Sequence, residues 1–238
     1  MTNSLDGKIE SKKKSIRSFV IRGGRITDGQ KAAFDRSWPN YGLSLYDGLI
    51  DPSTIFSREA PLVVEVGFGM GDSLLEMMEA EPEKDFVGIE VHPPGVGRLI
   101  NSADKLGLKN LRVFMADATD VLQDCFQDSS IDRLQLYFPD PWHKKKHHKR
   151  RIVQTEFIDL VKAKLKPGGV FHLATDWENY AEQMLELLND FPGLKNLSPL
   201  NLSVDRPAFR PITKFEKRGN RLGHGVWDLM FSKESSNS

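Results

Sequence analysis

Three acidic residues stand at short apolar runs in the first half of the chain. Glu65 lies within the first run, Glu90 ends the second, and Asp117 follows the third. Such runs predict buried strands, and ligands of open α/β sheets bind beyond the carboxyl ends of those strands. Glu90 could accept hydrogen bonds from both hydroxyls of a ribose, and Asp117 could accept one from an adenine amino group. Helix caps or surface ion pairs are the alternative roles for these acids.

A glycine-rich loop directly follows the first of these runs. Gly67, Gly69 and Gly71 occupy alternate positions, and glycine lets a ligand approach the backbone closely. A dinucleotide fingerprint requires a small residue where Asp72 stands. Carboxylates around one pocket would repel a pyrophosphate and suit a ligand that carries a sulfonium and an ammonium group. The glycine loop and the three acids therefore predict a site for S-adenosylmethionine.

A second cluster, Phe138-Pro139-Asp140-Pro141-Trp142, follows the fourth apolar run. The two prolines predict a rigid, extended turn that presents the Asp140 carboxylate at the edge of the sheet. This carboxylate can accept hydrogen bonds from N1 and N2 of guanine, whereas N7 of the same base has a lone pair and no proton. Transfer of a methyl group from S-adenosylmethionine to N7 would therefore demand positioning of the base rather than a general base. Trp142 could stack on a base or pack against the turn.

Positive charge is concentrated in three stretches, residues 8–25, 144–151 and 206–221, although the formal net charge is zero. Six of the eight residues from 144 to 151 are cationic and the other two are histidines, which predicts contact with RNA phosphates. The spacing of His143 and His147 would also suit a metal ion, but the intervening lysines would repel one. We expect no metal site.

Apolar runs and helical periodicity alternate along the chain, which predicts an α/β fold with a doubly wound, mostly parallel sheet. A final antiparallel strand is expected near the carboxyl end. The predicted strands are residues 62–66, 86–90, 111–115, 134–138, 170–174 and 225–231, and the predicted helices are residues 73–81, 96–106, 119–126, 155–165 and 177–188.

The domain organisation follows from composition. Residues 1–25 are lysine-rich and poor in apolar residues, which predicts a flexible basic arm. Residues 26–232 are expected to form a single domain, and residues 233–238 a disordered tail. The single Cys125 is predicted to be a small packing residue. No apolar run approaches the length of a membrane span, so a cytoplasmic protein without membrane contact is expected, with a monomer favoured.

The chain strongly resembles the bacterial tRNA (guanine-N7-)-methyltransferases from Ser18 onward. The motifs that carry the resemblance are Glu65-Val66-Gly67-Phe68-Gly69-Met70-Gly71, Gly88-Ile89-Glu90-Val91-His92, Phe138-Pro139-Asp140-Pro141-Trp142, Lys149-Arg150-Arg151, Ala174-Thr175-Asp176-Trp177 and Thr213-Lys214-Phe215-Glu216. The resemblance implies a class I methyltransferase fold with S-adenosylmethionine as methyl donor. It also implies methylation of the guanosine at position 46 in the variable loop of tRNA.

The resemblance assigns roles to individual residues. Glu65, Glu90, Asp117 and Asp140 match cofactor-contacting acids of the family, and Asp140 also matches its catalytic residue. Asp176 could instead cap the helix predicted to begin at Trp177. The positions that match substrate contacts are Lys144, Asp176, Thr213, Lys214, Phe215 and Glu216, and those that match the RNA-binding stretch are Lys146, His147, His148, Lys149, Arg150 and Arg151.

Two other functions are compatible with parts of the sequence. In a non-catalytic RNA-binding protein the basic stretches would matter and the cofactor pocket would be vestigial, but the intact glycine loop with Glu90 and Asp140 disfavours this. In an NAD-dependent oxidoreductase the same kind of sheet would bind a dinucleotide, but Asp72 disfavours that function.

Overall fold

A mostly parallel sheet forms the centre of the protein in the computed structural model, which describes residues 28–213, 216 and 225–235. In these residues the strand order is β1-β4-β3-β2-β5-β6-β8-β7, and β8 runs antiparallel to both of its neighbours. The strands are β1 Gly42–Leu43, β2 Leu62–Val66, β3 Asp85–Ile89, β4 Leu111–Phe114, β5 Ile131–Tyr137, β6 Leu165–Thr175, β7 Leu194–Asn196 and β8 Trp227–Lys233.

Helices cover both faces of the sheet. Helices α1, α3 and α4 pack on one face, and α2, α5, α6 and α7 pack on the other. All five residues of β2 are buried, because a central parallel strand has helices on both sides. The helices are α1 Asp28–Tyr41, α2 Pro52–Phe56, α3 Asp72–Ala80, α4 Pro93–Leu106, α5 Ala118–Cys125, α6 Thr155–Lys164 and α7 Glu178–Asn189.

The strand order reverses at β2, whose neighbours are β3 on one side and β5 on the other. Chain connections on the two sides of this point diverge to opposite faces, which opens a crevice beyond the carboxyl ends of the strands. The doubly wound sheet and its antiparallel strand β8 confirm the predicted fold class. Cys125 is buried in the core between α5 and the sheet, as predicted.

Most predicted elements exist within a few residues of the expected bounds, but β6 differs. The predicted helix ends at residue 165 and the predicted strand begins at residue 170, whereas β6 runs unbroken from Leu165. Its pairing with β5 shifts register between Ile131 and Arg133 to accommodate the extra residues. Gly168 has a φ of 77°, a conformation that favours glycine and lets the strand bend there.

Several elements were not predicted because their patterns are weak. Helix α1 is polar and contains Pro39, β1 and β7 have two and three residues, and α2 has five. The predicted arm at residues 1–25 lies outside the described residues. Lys233, which the prediction placed in the tail, ends β8, and its ammonium donates to the carbonyl of Leu165 at 2.7 Å.

No helix in the described part of the chain is both long enough and apolar enough to cross a membrane.

Candidate active site

A cleft of about 230 Å³ opens beyond the carboxyl ends of β2, β3, β4 and β5. Four residues expected at the cofactor site line it, namely Gly67, Glu90, Asp117 and Asp140. The structure thus brings Glu90, Asp117 and the proline-flanked Asp140 to one cavity. Apolar side chains complete the walls, among them Ile89, Leu136 and Ile152.

Glu90 fastens the glycine loop to the end of β3. One carboxylate oxygen accepts a hydrogen bond from the Gly69 amide at 2.8 Å, and the other accepts from the amides of Val91 and His92 at 2.7 and 2.9 Å. The side chain is only 8% exposed, and it lines the cleft. Its carboxylate therefore holds the loop and presents negative charge to a ligand at the same time.

The glycine loop owes its shape to residues without side chains. Gly67, Gly69 and Gly71 all have positive φ. Gly95, at the start of α4, packs against the same loop, and a Cβ there would lie 1.9 Å from the carbonyl oxygen of Gly69. Gly67 lines the cleft, whereas Gly69 and Gly71 form the turn behind it.

Asp117 performs one of its alternative roles and lines the cleft as well. It is the N-cap of α5, and its carboxylate accepts a hydrogen bond from the Thr119 amide at 2.9 Å. A cap uses one carboxylate oxygen, so the other remains available to a ligand amino group. Capping and ligand binding are therefore compatible at this position.

Glu65 lies beneath the cleft rather than in its described lining. The side chain is 3% exposed, and its Oε2 atom accepts no hydrogen bond within the described residues. Burial raises the pKa of this carboxyl to about 8, Glu90 adds to the rise, and Arg133 partly opposes it. The free protein therefore holds Glu65 mainly protonated at neutral pH.

Binding of the cofactor should change the protonation of Glu65 if the expected contact with its ammonium group forms. A nearby positive charge favours the carboxylate, so the pKa falls from about 8 and up to about one proton is released at pH 7. Calorimetry of S-adenosylhomocysteine binding in buffers of different ionisation enthalpy measures this release. Glu65→Gln should abolish it, and the exposed Glu59→Gln should not. Equal proton release from all three proteins would place Glu65 away from the ammonium.

The turn that carries Asp140 is strained on both sides. Phe138 and Trp142 have φ values of 51° and 46°, which non-glycine residues seldom adopt. Asp140 is exposed at the mouth of the cleft, between the two prolines. Strain of this kind persists only where the surrounding structure holds it, and it concentrates at functional sites.

Packing around the turn shows how the strain is held. The Arg150 guanidinium lies 3.9 Å from the centroid of the Trp142 ring, and the His147 ring lies nearly perpendicular to that tryptophan, with the ring centroids 6.0 Å apart. The Phe138 amide donates to the carbonyl of Ala174 at 2.7 Å. Trp142 therefore packs within the turn, which was one of its two predicted roles.

Asp176 does not cap α7. The helix begins at Glu178, and its N-cap is Trp177. The hydroxyl of Thr175 accepts the hydrogen bond from the Trp177 amide at 3.2 Å. The alternative structural role is therefore wrong, and Asp176 stands half-buried at the carboxyl end of β6, on the same edge of the sheet as Asp140.

The charges of the cleft fit the cofactor that the sequence predicts. Its lining contains three acids and, among the described residues, no lysine, arginine or histidine. A sulfonium and an ammonium group match such a site, whereas a pyrophosphate does not. Apolar walls beside Asp117 suit an adenine ring. Within the described residues, no cluster of three or more histidine, cysteine or acidic side chains could hold a metal ion.

Comparisons with known proteins agree with this site. A family model described as "Putative methyltransferase" matches residues 59–229. The tRNA (guanine-N(7)-)-methyltransferase of Saccharophagus degradans is 64% identical over 224 residues, which cover 94% of this chain and 98% of the relative. A protein of the same name from Pseudomonas putida F1 is 57% identical over 98% of this chain and 99% of its own length.

The chain belongs to the tRNA (guanine-N7-)-methyltransferase family. Solved structures agree on the fold. The 16S rRNA (adenine(1408)-N(1))-methyltransferase of Catenulisporales acidiphilia gives a TM-score of 0.51 at 15% identity, over 79% of this chain and 94% of that chain. Such low identity shows the shared fold alone.

The stretch predicted to bind RNA, residues 144–151, is only partly on the surface. A 3-10 helix, Lys145–Arg150, presents exposed lysines at 145, 146 and 149, and Lys144 is exposed just before it. His147 and His148 are half-buried. The exposed lysines of this stretch remain the predicted RNA contacts.

Arg151 is buried instead of facing solvent. Its side chain donates to the carbonyl of Pro141 at 2.8 Å and to the amide oxygen of Asn179 at 3.1 Å, and it lies over the ring of Tyr180. This placement argues against a phosphate contact. Arg151 instead joins the proline-flanked turn to α7, because an arginine can donate hydrogen bonds to several acceptors at once. The sequence missed this role because Arg151 ends a run of surface cations.

The segment expected to contact substrate is described at Thr213 and Glu216, while Lys214 and Phe215 lie outside the described residues. The Thr213 hydroxyl accepts a hydrogen bond from the Glu216 amide at 3.1 Å. The Glu216 carboxylate is buried and accepts two hydrogen bonds from Arg210 at 2.7 and 3.2 Å. Arg210, expected in a basic surface stretch, is fully buried.

Proposed function

We propose that this protein transfers the methyl group of S-adenosylmethionine to N7 of the guanosine at position 46 in the variable loop of tRNA. One observation carries the proposal. Asp140 lines the same cleft as Glu90 and Asp117, and a lysine-rich helix follows its turn directly. A cofactor site, a guanine acceptor and a phosphate-binding surface thus adjoin each other. Membership of the family supports the reaction.

The residues of the cleft bind and orient the two reactants. Glu90 holds the glycine loop and accepts from the ribose hydroxyls, and Asp117 accepts from the adenine amino group. S-adenosylmethionine supplies a methyl group on a sulfonium, whose carbon–sulfur bond breaks onto sulfur as the N7 lone pair forms the new bond. No residue has to remove a proton in this step. Alignment of N7 with the methyl group is therefore the main task of the protein.

Asp140 contributes most as positive charge develops on guanine. Its carboxylate accepts from N1 and N2 on the far edge of the base. The base becomes cationic as the methyl group arrives, so these hydrogen bonds strengthen toward the transition state. Lys144 and Asp176 stand on the same edge of the sheet and contact the nucleotide around this base.

Incubation with radiolabelled S-adenosylmethionine and unmodified tRNA tests the proposal, followed by borohydride and aniline, which cleave RNA at N7-methylguanosine. Cleavage at position 46 is the expected result, and a transcript with adenosine at 46 should take up no label. Label without cleavage would move the target to another atom. A folded protein that binds tRNA and transfers no label would support the non-catalytic alternative.

The exposed lysines should dominate the salt dependence of tRNA binding. Each phosphate contact contributes about 0.7–0.9 to the slope of log affinity against log salt, so replacing Lys144, Lys145 and Lys146 by alanine should lower the slope by about 2. Filter binding at several salt concentrations measures it. A control triple variant removes Lys105, Lys109 and Lys195, which are exposed near the opposite edge of the sheet. Equal slopes for the two triple variants would show that residues 144–146 face away from RNA.

The absence of an apolar span among the described helices and the tRNA substrate of the family support a cytoplasmic location. We propose that the protein acts there as a monomer, since one chain supplies every residue of the site described above.

A further inference from the structure

A network of buried polar side chains connects the cleft to the segment that contains Thr213 and Glu216. This buried polar network consists of Tyr137, His172, Asp228, Arg210 and Glu216. No more than 8% of the surface of any of these residues is exposed. Tyr137 lines the cleft at the carboxyl end of β5. None of the roles described above uses His172, Asp228 or Arg210.

Each hydrogen bond of His172 in the buried polar network has a defined donor and acceptor. His172 approaches Asp228 through Nε2 at 2.8 Å and Tyr137 through Nδ1 at 2.8 Å. A carboxylate only accepts, so Nε2 carries the proton and Nδ1 accepts from the Tyr137 hydroxyl. Burial lowers the pKa of His172 and raises that of Tyr137, which keeps the imidazole neutral and the phenol protonated.

Arg210 is the central member of the buried polar network. Its guanidinium donates to both oxygens of Asp228 at 2.6 and 2.7 Å, and to both oxygens of Glu216 at 2.7 and 3.2 Å. It also lies 5.8 Å from the ring centroids of Tyr137 and Phe138. Arg210 thus contacts the strained turn that leads to Asp140 and the segment at Thr213 and Glu216 simultaneously.

Stability alone does not account for this arrangement. Burying charged groups costs much of what their mutual attraction returns, and apolar residues of similar volume often serve a core equally well. Fork-shaped hydrogen bonds from arginine instead fix distance and orientation. The buried Glu216 carboxylate is fully engaged with Arg210, so this glutamate shapes its segment rather than accepting from the substrate.

We propose that Arg210, with Asp228 and His172, is a positioning device that holds the segment at Thr213 and Glu216 in register with the Asp140 turn, so that the two together form the walls of the guanosine site. This inference rests on the proposed function. Arg210 acts through Glu216 and Phe138 and does not touch the reacting atoms. Its loss should therefore affect turnover more than the binding of either reactant.

Two variants of the full chain test the device. Arg210→Lys keeps the charge and loses the fork, and the triple variant Arg210→Met, Asp228→Asn, Glu216→Gln removes all three charges together so that none is left buried alone. Both should bind S-adenosylhomocysteine within about twofold of wild type. Misplacement of about 1 Å costs on the order of 10²-fold in rate, so kcat should fall about that much while KM for tRNA changes less than about threefold.

Arg58→Lys is the matched control. Two nitrogens of Arg58 donate to one carboxylate oxygen of the buried Asp85 at the amino edge of the sheet, at 2.9 and 2.7 Å. It should lower the melting temperature without lowering kcat. A folded Arg210→Lys or triple variant with kcat within about threefold of wild type would overturn the proposal.

If neither variant folds, hydrogen exchange in the wild-type protein tests the proposal. Hydrogen exchange should slow at residues 210–213 when S-adenosylhomocysteine fills the cleft beside Tyr137 and Phe138, and unchanged exchange there would overturn the proposal. The same methylation assay on wild type separates the two proposals. Absence of N7 methylation by wild type would reject the proposed function, whereas normal methylation by the variants would reject this inference alone.

Discussion

Asp140→Ala should slow methyl transfer severely while leaving tRNA affinity nearly unchanged. Removal of one group that stabilises developing charge costs about 10²–10³ in kcat. Asp140 is exposed at the cleft mouth, so its replacement should leave the fold intact. In the proposed function the lysine-rich helix that follows supplies most of the binding energy through phosphates, so Kd for tRNA should stay within about twofold. Single-turnover assays and filter binding measure the two quantities separately.

Two companion variants sharpen this expectation. Asp140→Asn keeps the shape of the side chain but offers one acceptor and places an amino group against a guanine donor, so it should be nearly as inactive as alanine. Asp190→Ala removes an exposed carboxylate at the far end of α7 and should turn over normally. Near-normal turnover by Asp140→Ala would contradict the assigned role.

The sheet could be predicted from the sequence because its central strands are buried on both faces. A strand such as β2 must be apolar throughout, and such runs are recognisable without any knowledge of their neighbours. The same reasoning fails at the edges. Helix α1 is mostly polar and β7 has three residues, so what stabilises them is contact with other elements rather than their own pattern.

The acids of the cleft could be predicted because their position follows from strand ends. Glu90 and Asp117 follow neighbouring parallel strands, so their side chains must meet at one edge of the sheet. Glu65 lies one strand residue earlier than the end of β2, which places its side chain beneath the cleft rather than in its lining. The sequence could not give the resulting burial or the raised pKa.

The buried polar network could not be predicted, because its members are far apart in sequence. Tyr137 and His172 lie 35 residues apart and His172 and Asp228 lie 56 apart. Arg210 and Arg151 each stand in a stretch rich in cations, where solvent exposure is the ordinary expectation. Only the tertiary structure distinguishes an arginine that binds carboxylates in the core from one that could meet phosphates.

Glu90→Gln should weaken S-adenosylhomocysteine binding by roughly 10- to 100-fold, because the loss of one hydrogen bond to a charged group costs about 1.5–3 kcal/mol. Glu90 accepts from three amides through both oxygens. Glutamine has one carbonyl oxygen, so its amino group must face either the Gly69 amide or those of Val91 and His92. The ribose hydroxyls lose an acceptor as well.

Calorimetry with S-adenosylhomocysteine measures this loss, and circular dichroism checks that the sheet is retained. Glu79→Gln, at an exposed position of α3, should bind as wild type does. Glu90→Asp keeps the charge on a shorter side chain that cannot reach all three amides, so it should also bind weakly. Wild-type affinity in Glu90→Gln would mean that the glycine loop keeps its shape without this carboxylate. Weak binding by both Glu90 variants would show that charge and reach are both needed, because a single group must hold the loop and face the ribose.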